Sequence, residues 1–249
     1  MKKLLMMALL AVGMTANAEG TKDFTNVNET NGVTITDDNG DKDKGSKTDI
    51  VLKEGECGNW TMHVGIGVNL VTGAPDAYEF APFKSWDIQF TVVSYDYTPK
   101  GASQTYSIGL GLNWRNYGLK DNGTSLVKAN NLVGLAPFPA NAGSRYSSVQ
   151  TLGINIPLLF TQKVSKSVSL SVGPIVNFNA WGWVNRDYEL GDDDYSISTR
   201  KIGQRPVTVD VMGVVDIDGF GIFCKYSPMK VFKKDRGPEF NSVTLGLYF

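Results

Sequence analysis

The chain has 249 residues, with 24 Lys and Arg against 25 Asp and Glu, a formal net charge of −1, and 27 glycines. The charge balance, with no basic patch standing out in the sequence, gives no reason to expect nucleic acid as a partner, and the length allows one or two domains with a sizeable core. No repeat of solenoid period occurs, and no continuous apolar run reaches the ~18 residues of a membrane-spanning helix, which excludes a helical membrane protein.

In chain order, "MKKLLMMALLAVGMTANAEG" opens with Lys2 and Lys3, continues with an apolar stretch from Leu4 to Met14, and reaches the small-x-small pattern Ala16-Asn17-Ala18. This predicts a signal peptide over residues 1–18, cleaved after Ala18, and therefore an exported protein. Residues 19–57 are polar and acidic and are expected to be a flexible periplasmic segment. Asp37, Asn39, Asp41 and Asp43 alternate there as in a calcium loop, but Lys42 and Thr48 stand where that loop needs Gly and Glu. Surface charge, not a metal site, is the expectation.

From residue 58 to residue 249 the dominant period is two, the signature of strands with one apolar face. "WTMHVGIGVNLV" sets Trp60, Met62, Val64, Ile66, Val68 and Leu70 against Thr61, His63, Gly65, Gly67 and Asn69. "SWDIQFTV" sets Trp86, Ile88, Phe90 and Val92 against Asp87, Gln89 and Thr91. "YSIGLGLNWR" does the same from Tyr106 to Arg115, and "TLGINIPLLF" from Leu152 to Phe160. "VSLSVGPIVNFNAWGW", "VTVDVMGVV", "GFGIFCKY" and the closing "NSVTLGLYF" complete a set of eight predicted strands.

Three features select a transmembrane barrel over a soluble sandwich. The polar face is built from Gly, Ser, Thr and Asn, as crowding inside an eight-stranded barrel requires. Connections alternate in length: 98–103, 161–167 and 216–219 are short, whereas 72–84, 118–148, 185–206 and 228–239 are long, the outer-membrane arrangement. The tryptophans fall near strand ends, where interfacial belts place them. Trp181 and Trp183 have inward parity, so a bulge is needed before they can join a belt. The predicted fold is therefore an all-β, eight-stranded antiparallel up-and-down transmembrane β-barrel, with both termini in the periplasm.

The region from about Trp60 to Phe249 resembles the small outer-membrane β-barrel proteins of Bacteroidota, the PorT-like family, and more distantly the OmpA and OmpX class. The resemblance rests on "VSLSVGPIVNF", "GFGIFCKYSPMKVF" and "VTLGLYF". It implies an outer-membrane location and recognition of the strand ending at Phe249 by the barrel-assembly machinery. It implies no activity.

Candidate chemistry is sparse. His63 is the sole histidine, and mid-strand with inward parity it is expected to be a lumen hydrogen-bonder, not a base. No nucleophile elbow, phosphate loop or paired-cysteine metal pattern occurs, so no catalytic, cofactor or metal site is expected. Cys57 precedes the first strand and Cys224 faces outward in the middle of the seventh, strands that are not neighbours when the eighth closes the ring, and no disulfide is expected between them. Asp87, Arg115, Asp210 and Lys225 have inward parity and either pair inside the lumen or sit at a wetted rim. A hairpin with Ile217 and Asp218 at its tip predicts that Asp210 directly faces Lys225.

The reading that follows is a non-enzymatic outer-membrane barrel with a side-chain-filled lumen. Its expected role is envelope scaffold or surface adhesion through the long extracellular loops. Its expected partners are membrane lipid, the assembly machinery, and a surface or periplasmic protein. The alternatives are a narrow channel or porin, an accessory of a secretion or transport complex, and a rim enzyme. The last of these requires a Ser or Asp close to His63.

Overall fold

The computed structural model describes residues 57–249; the expected signal peptide and all of the acidic segment except Cys57 lie outside the described residues. Eleven strands follow in order: β1 (Cys57–Thr72), β2 (Trp86–Thr98), β3 (Gln104–Gly118), β4 (Thr124–Ala129), β5 (Leu132–Pro137), β6 (Gly143–Lys163), β7 (Val168–Leu190), β8 (Asp193–Arg200), β9 (Val207–Ile217), β10 (Phe220–Ser227) and β11 (Asn241–Tyr248).

Eight of them form a ring in the order β1-β2-β3-β6-β7-β9-β10-β11, and β11 returns to β1 in the register Gly65↔Tyr248 through Thr72↔Asn241. Every ring pair is antiparallel and sequential around the barrel, so over the closed part of the ring each strand has a partner on both sides and its backbone groups are satisfied without water; the start of β1, before Val64, pairs with β2 alone. Alternation decides the faces. Val172 and Ile222 point outward and are 53 % and 58 % exposed, whereas Asn177 and Lys225 point into the lumen and are 1 % exposed. Leu110, Leu112, Leu158, Leu170, Val209, Val211, Val215, Leu245 and Leu247 extend the outward apolar band. This is the eight-stranded up-and-down transmembrane β-barrel that the period predicts, with its apolar face toward lipid. Among the described residues no helix is long and apolar enough to cross a membrane. Cys224 is free and exposed on that same outer face.

Short turns and long connections alternate between the two ends, as expected. The long connections are themselves folded. The one after β3 holds the β4–β5 hairpin, closed at Asn130-Asn131 with φ of 47° and 63°. The one after β7 holds β8, which pairs with the upper part of β7 from Leu190↔Asp193 to Trp183↔Arg200. None of these three strands shows the alternation of the ring: "DDYSISTR" is mostly polar, and "TSLVKA" and "LVGLAP" set apolar residues side by side over only six positions each.

Three irregularities interrupt the ring ladders, one between Gly143 and Tyr146 of β6 and two that adjust the predicted faces. Of these two, one lies in β2, where pairing shifts between Thr91 and Val93. The other lies where Leu152↔Trp181 gives way to Ile154↔Phe178, so that Asn179 and Ala180 of β7 oppose Gly153 alone. The extra residue reverses parity. Trp181 is consequently 56 % exposed on the outside, and the belt position that parity alone denied it is restored.

The β9–β10 hairpin corrects the expected register. Ile217 pairs with Phe220, and Asp218 and Gly219 form the tip with φ of 52° and 85°. Asp-Gly with both φ positive is the two-residue turn whose twist suits a hairpin. The ladder therefore slips by one residue on each strand relative to the expectation. Lys225 lies opposite Met212, and Asp210 does not face it directly. Parity survives a two-residue change of register, so the inward and outward faces remain as expected.

Candidate functional site: the lumen, its closures and its rims

Each lumen charge comes from a different strand and from an alternating position that the pleat turns inward. Asp87 is on β2, Arg115 on β3, Asp210 on β9 and Lys225 on β10, and all four are 5 % exposed or less. They form one network. Lys225 Nζ lies 2.9 Å from Asp87 Oδ1 and 2.8 Å from Asp87 Oδ2. Arg115 Nε lies 3.3 Å from Asp87 Oδ2, and Arg115 Nη2 donates to Asp210 Oδ2. Neutral groups complete the shell. Asn113 donates to Asp87 at 2.8 Å and accepts from Arg115 at 2.5 Å; Asn177 donates to Asp210 at 2.8 Å; Lys225 also donates to Gln89 at 3.1 Å.

Two positive and two negative charges cancel inside a space where an isolated ion would be very costly. Lys225 thus reaches across the lumen to Asp87, and Asp210 is held by Arg115. The sequence reading brought the right four residues inward and paired them wrongly, since pairings across a barrel leave no trace in strand spacing.

The small residues between these groups have a steric reason. A Cβ on Gly65 would lie 2.7 Å from Gln89 Cγ, and one on Gly67 would lie 2.6 Å from Thr244 Cγ2. Glycine on β1 therefore leaves room for the Gln89 and Thr244 side chains that its neighbouring strands project into the lumen.

Above and below the ionic layer the lumen is closed by apolar packing. Toward the short turns, Ile175, Met212, Val214, Phe223 and Tyr248 form a buried cluster, joined by Leu159. Toward the long connections, Tyr117, Leu119, Leu126, Val133, Val149, Val184, Ile202, Phe232 and Phe240 form a second core. Phe240 is its centre, with ring centroids 5.1 Å from Tyr117, 4.8 Å from Phe80 and 6.3 Å from Phe232. Between the charges and this crown remains a cavity of about 10 Å³ lined by Arg115, Tyr117, Thr208 and Ser227, room for about one water. The predicted polar lumen is therefore layered: apolar, ionic, apolar.

His63 sits near the short-turn rim, stacked on Tyr248 with centroids 5.2 Å apart. Thr61 Oγ1 donates to Asp96 Oδ2 at 2.8 Å and lies 3.0 Å from His63 Nε2; Ser94 donates to Asp96 Oδ1 at 3.1 Å. An Asp and two hydroxyls thus do lie close to the only histidine. In a nucleophile relay, however, the imidazole sits between hydroxyl and carboxylate and accepts the hydroxyl proton. Here the hydroxyl sits in the middle and gives its proton to the carboxylate, so Nε2 is left to donate. His63 behaves as the lumen hydrogen-bonder that its parity indicated. Asp96 escaped the sequence reading because the bulge after Thr91 turns it inward.

No protein-family model and no curated protein matches this chain. Among solved structures it is similar to Ail, the attachment invasion locus protein of Yersinia pestis, solved in complex with the heparin analogue sucrose octasulfate. Identity is 12 % over 79 % of this chain and 99 % of that one, with a TM-score of 0.34. The barrel assignment rests on the strand pairings themselves.

Proposed function

We propose that this protein is a non-enzymatic outer-membrane barrel that acts as an envelope scaffold or surface adhesion protein, with its folded crown facing outward and the short turns and both termini in the periplasm. The observation that carries this reading is the layered lumen: a neutralised ionic layer between two apolar plugs leaves no path for a solute. The same packing weighs against the channel and porin alternative. Interaction then falls to the crown, which the β4–β5 and β7–β8 hairpins build together with the long connections. Arg186 caps two aromatic rings there, 5.1 Å from the Phe138 centroid and 5.3 Å from that of Tyr188. Kinship with the PorT-like barrels stays part of this proposal on the strength of the sequence motifs.

The test is recording in planar bilayers after refolding. The purified barrel should insert, migrate differently in SDS gels before and after boiling, and give no discrete conductance steps. Regular steps at physiological salt would reject the scaffold reading in favour of the channel.

We also propose that the assembly machinery reads β11 together with Phe249. Phe249 exchanges two backbone hydrogen bonds of 2.9 Å with Val64 and packs edge-on against Phe220 at 5.3 Å. Deleting Phe249 removes both bonds and the ring contact at the seam between β1 and β11. Assembled barrel in the membrane fraction should fall several-fold relative to the parent. Equal amounts of heat-modifiable protein from both would refute this role.

A further inference from the structure

Basic side chains dispersed through the sequence are gathered by the fold at the base of the crown. The connection from β8 to β9 and the connection from β10 to β11 are sewn together: Arg205 N donates to Val231 O at 2.8 Å, and Lys233 N donates to Gly203 O at 2.9 Å. Ile202 and Phe232 anchor these two segments in the crown core with 0 % and 1 % exposure. Beside those anchors Val231 packs against the core, while the charged side chains stay in solvent. Arg200, Lys201, Lys233, Lys234 and Arg236 are all exposed, and none of them makes an ion pair among the described residues. The acids of the same stretch are Asp235 and Glu239, both exposed. Backbone anchoring fixes the points from which the cations project, which lowers the entropic cost of binding a multivalent anion.

Two further observations indicate which anion. Arg200 pairs across the ladder with Trp183, on the outward face and next to the Trp181 belt. Aromatic belts mark the headgroup level of a bilayer. Charge is also segregated along the β7–β8 hairpin. Glu189, Asp192, Asp193 and Asp194 crowd its tip, seven ladder positions from the Trp183↔Arg200 pair, or about 23 Å at the usual rise per residue. The four acids of the tip thus stand about 23 Å along the ladder from the tryptophan level, which Arg200 shares, while Asp235 and Glu239 are the acids left among the cations.

We propose that this basic collar is a binding site for the phosphate groups of membrane lipids in the leaflet at the long-connection end. The site rests on the membrane placement proposed above. It anchors the crown to the bilayer surface by charge, beyond the apolar contact of the strands.

The test uses the full barrel in three vesicle types: phosphatidylcholine alone, phosphatidylcholine with a diphosphorylated glucosamine-disaccharide lipid, and phosphatidylcholine with that lipid dephosphorylated. Enrichment of labelled lipid at the protein is read by energy transfer from tryptophan. The diphosphorylated lipid should be enriched about tenfold over its dephosphorylated form, given a gain of about fivefold per well-placed basic residue before screening. The variant R200Q/K201Q/K233Q/K234Q should lose that preference, while K163Q/K166Q at the opposite end should keep it.

Equal enrichment of the two lipids, or an unchanged preference in the four-charge variant, would overturn the site. Binding of inorganic tripolyphosphate to the barrel in neutral vesicles as tightly as the lipid would overturn the lipid assignment in favour of a soluble polyanion. Failure to enter even the neutral vesicles would sink the membrane reading itself, and the collar with it.

Discussion

Arg115→Met is expected to be the most damaging single substitution in the barrel. Arg115 bridges both lumen carboxylates, Asp210 through Nη2 and Asp87 through Nε. Without it, two buried carboxylates share the single ammonium of Lys225, which reaches Asp87. Breaking a buried ion pair from one side costs about 3–5 kcal/mol, because the abandoned charge stays desolvated. The urea midpoint of the refolded barrel should fall accordingly. Arg115→Met combined with Asp210→Asn should regain much of the loss, since the second change neutralises the abandoned carboxylate. The same logic ranks the partners of Lys225: a double-mutant cycle of Lys225→Met with Asp87→Asn should show strong coupling, and one with Asp210→Asn weaker coupling. Additive losses for Lys225 with Asp87 would contradict the network. None of this makes the network a large source of net stability, because four desolvated charges offset most of their mutual attraction.

Phe240→Ala should be the second largest loss, and it should fall elsewhere. Phe240 is fully buried and touches Tyr117, Phe80 and Phe232. Truncating a packed phenylalanine costs about 3–5 kcal/mol, part of it from the cavity left behind. The loss acts on the crown, not on the strand ladder. Limited proteolysis should therefore cut the 119–142 and 191–206 connections much faster than in the parent, while the barrel still shows its shift in SDS gels. Conductance should stay absent, because the ionic layer and the cluster around Phe223 close the lumen independently. Appearance of channels in Phe240→Ala would place the seal in the crown alone.

The ring was legible from residues because a period of two, sustained through "YSIGLGLNWR" or "VSLSVGPIVNF", has few other solutions. Inward charges were legible for the same reason. What escaped was whatever depends on geometry between distant strands. The Asp87–Lys225 pair joins positions 138 residues apart, and no spacing rule reaches across a lumen. The β9–β10 register was open to reading and was misread: Asp218-Gly219 carries the stronger turn signal than Ile217-Asp218. Bulges reversed parity at two points, hiding Asp96 and misplacing Trp181. The crown core escaped because Ile202, Phe232 and Phe240 lie in connections that carry no apolar period. Their burial depends on three connections meeting, and so does the gathering of the cations beside them.

The seam between β1 and β11 has a consequence for how the molecule comes into being. Its register joins Gly65 to Tyr248, almost the two extremes of the described chain. Every other ring contact can form between strands that follow one another, with at most a folded connection between them. This one waits for the whole circle. Contacts so remote in sequence make folding slow, and until the last one forms, the growing sheet carries two raw borders able to pair with any other strand. The time to maturity should therefore be set by closure, and a helper that holds both borders apart from other chains would gain the most by acting at that moment.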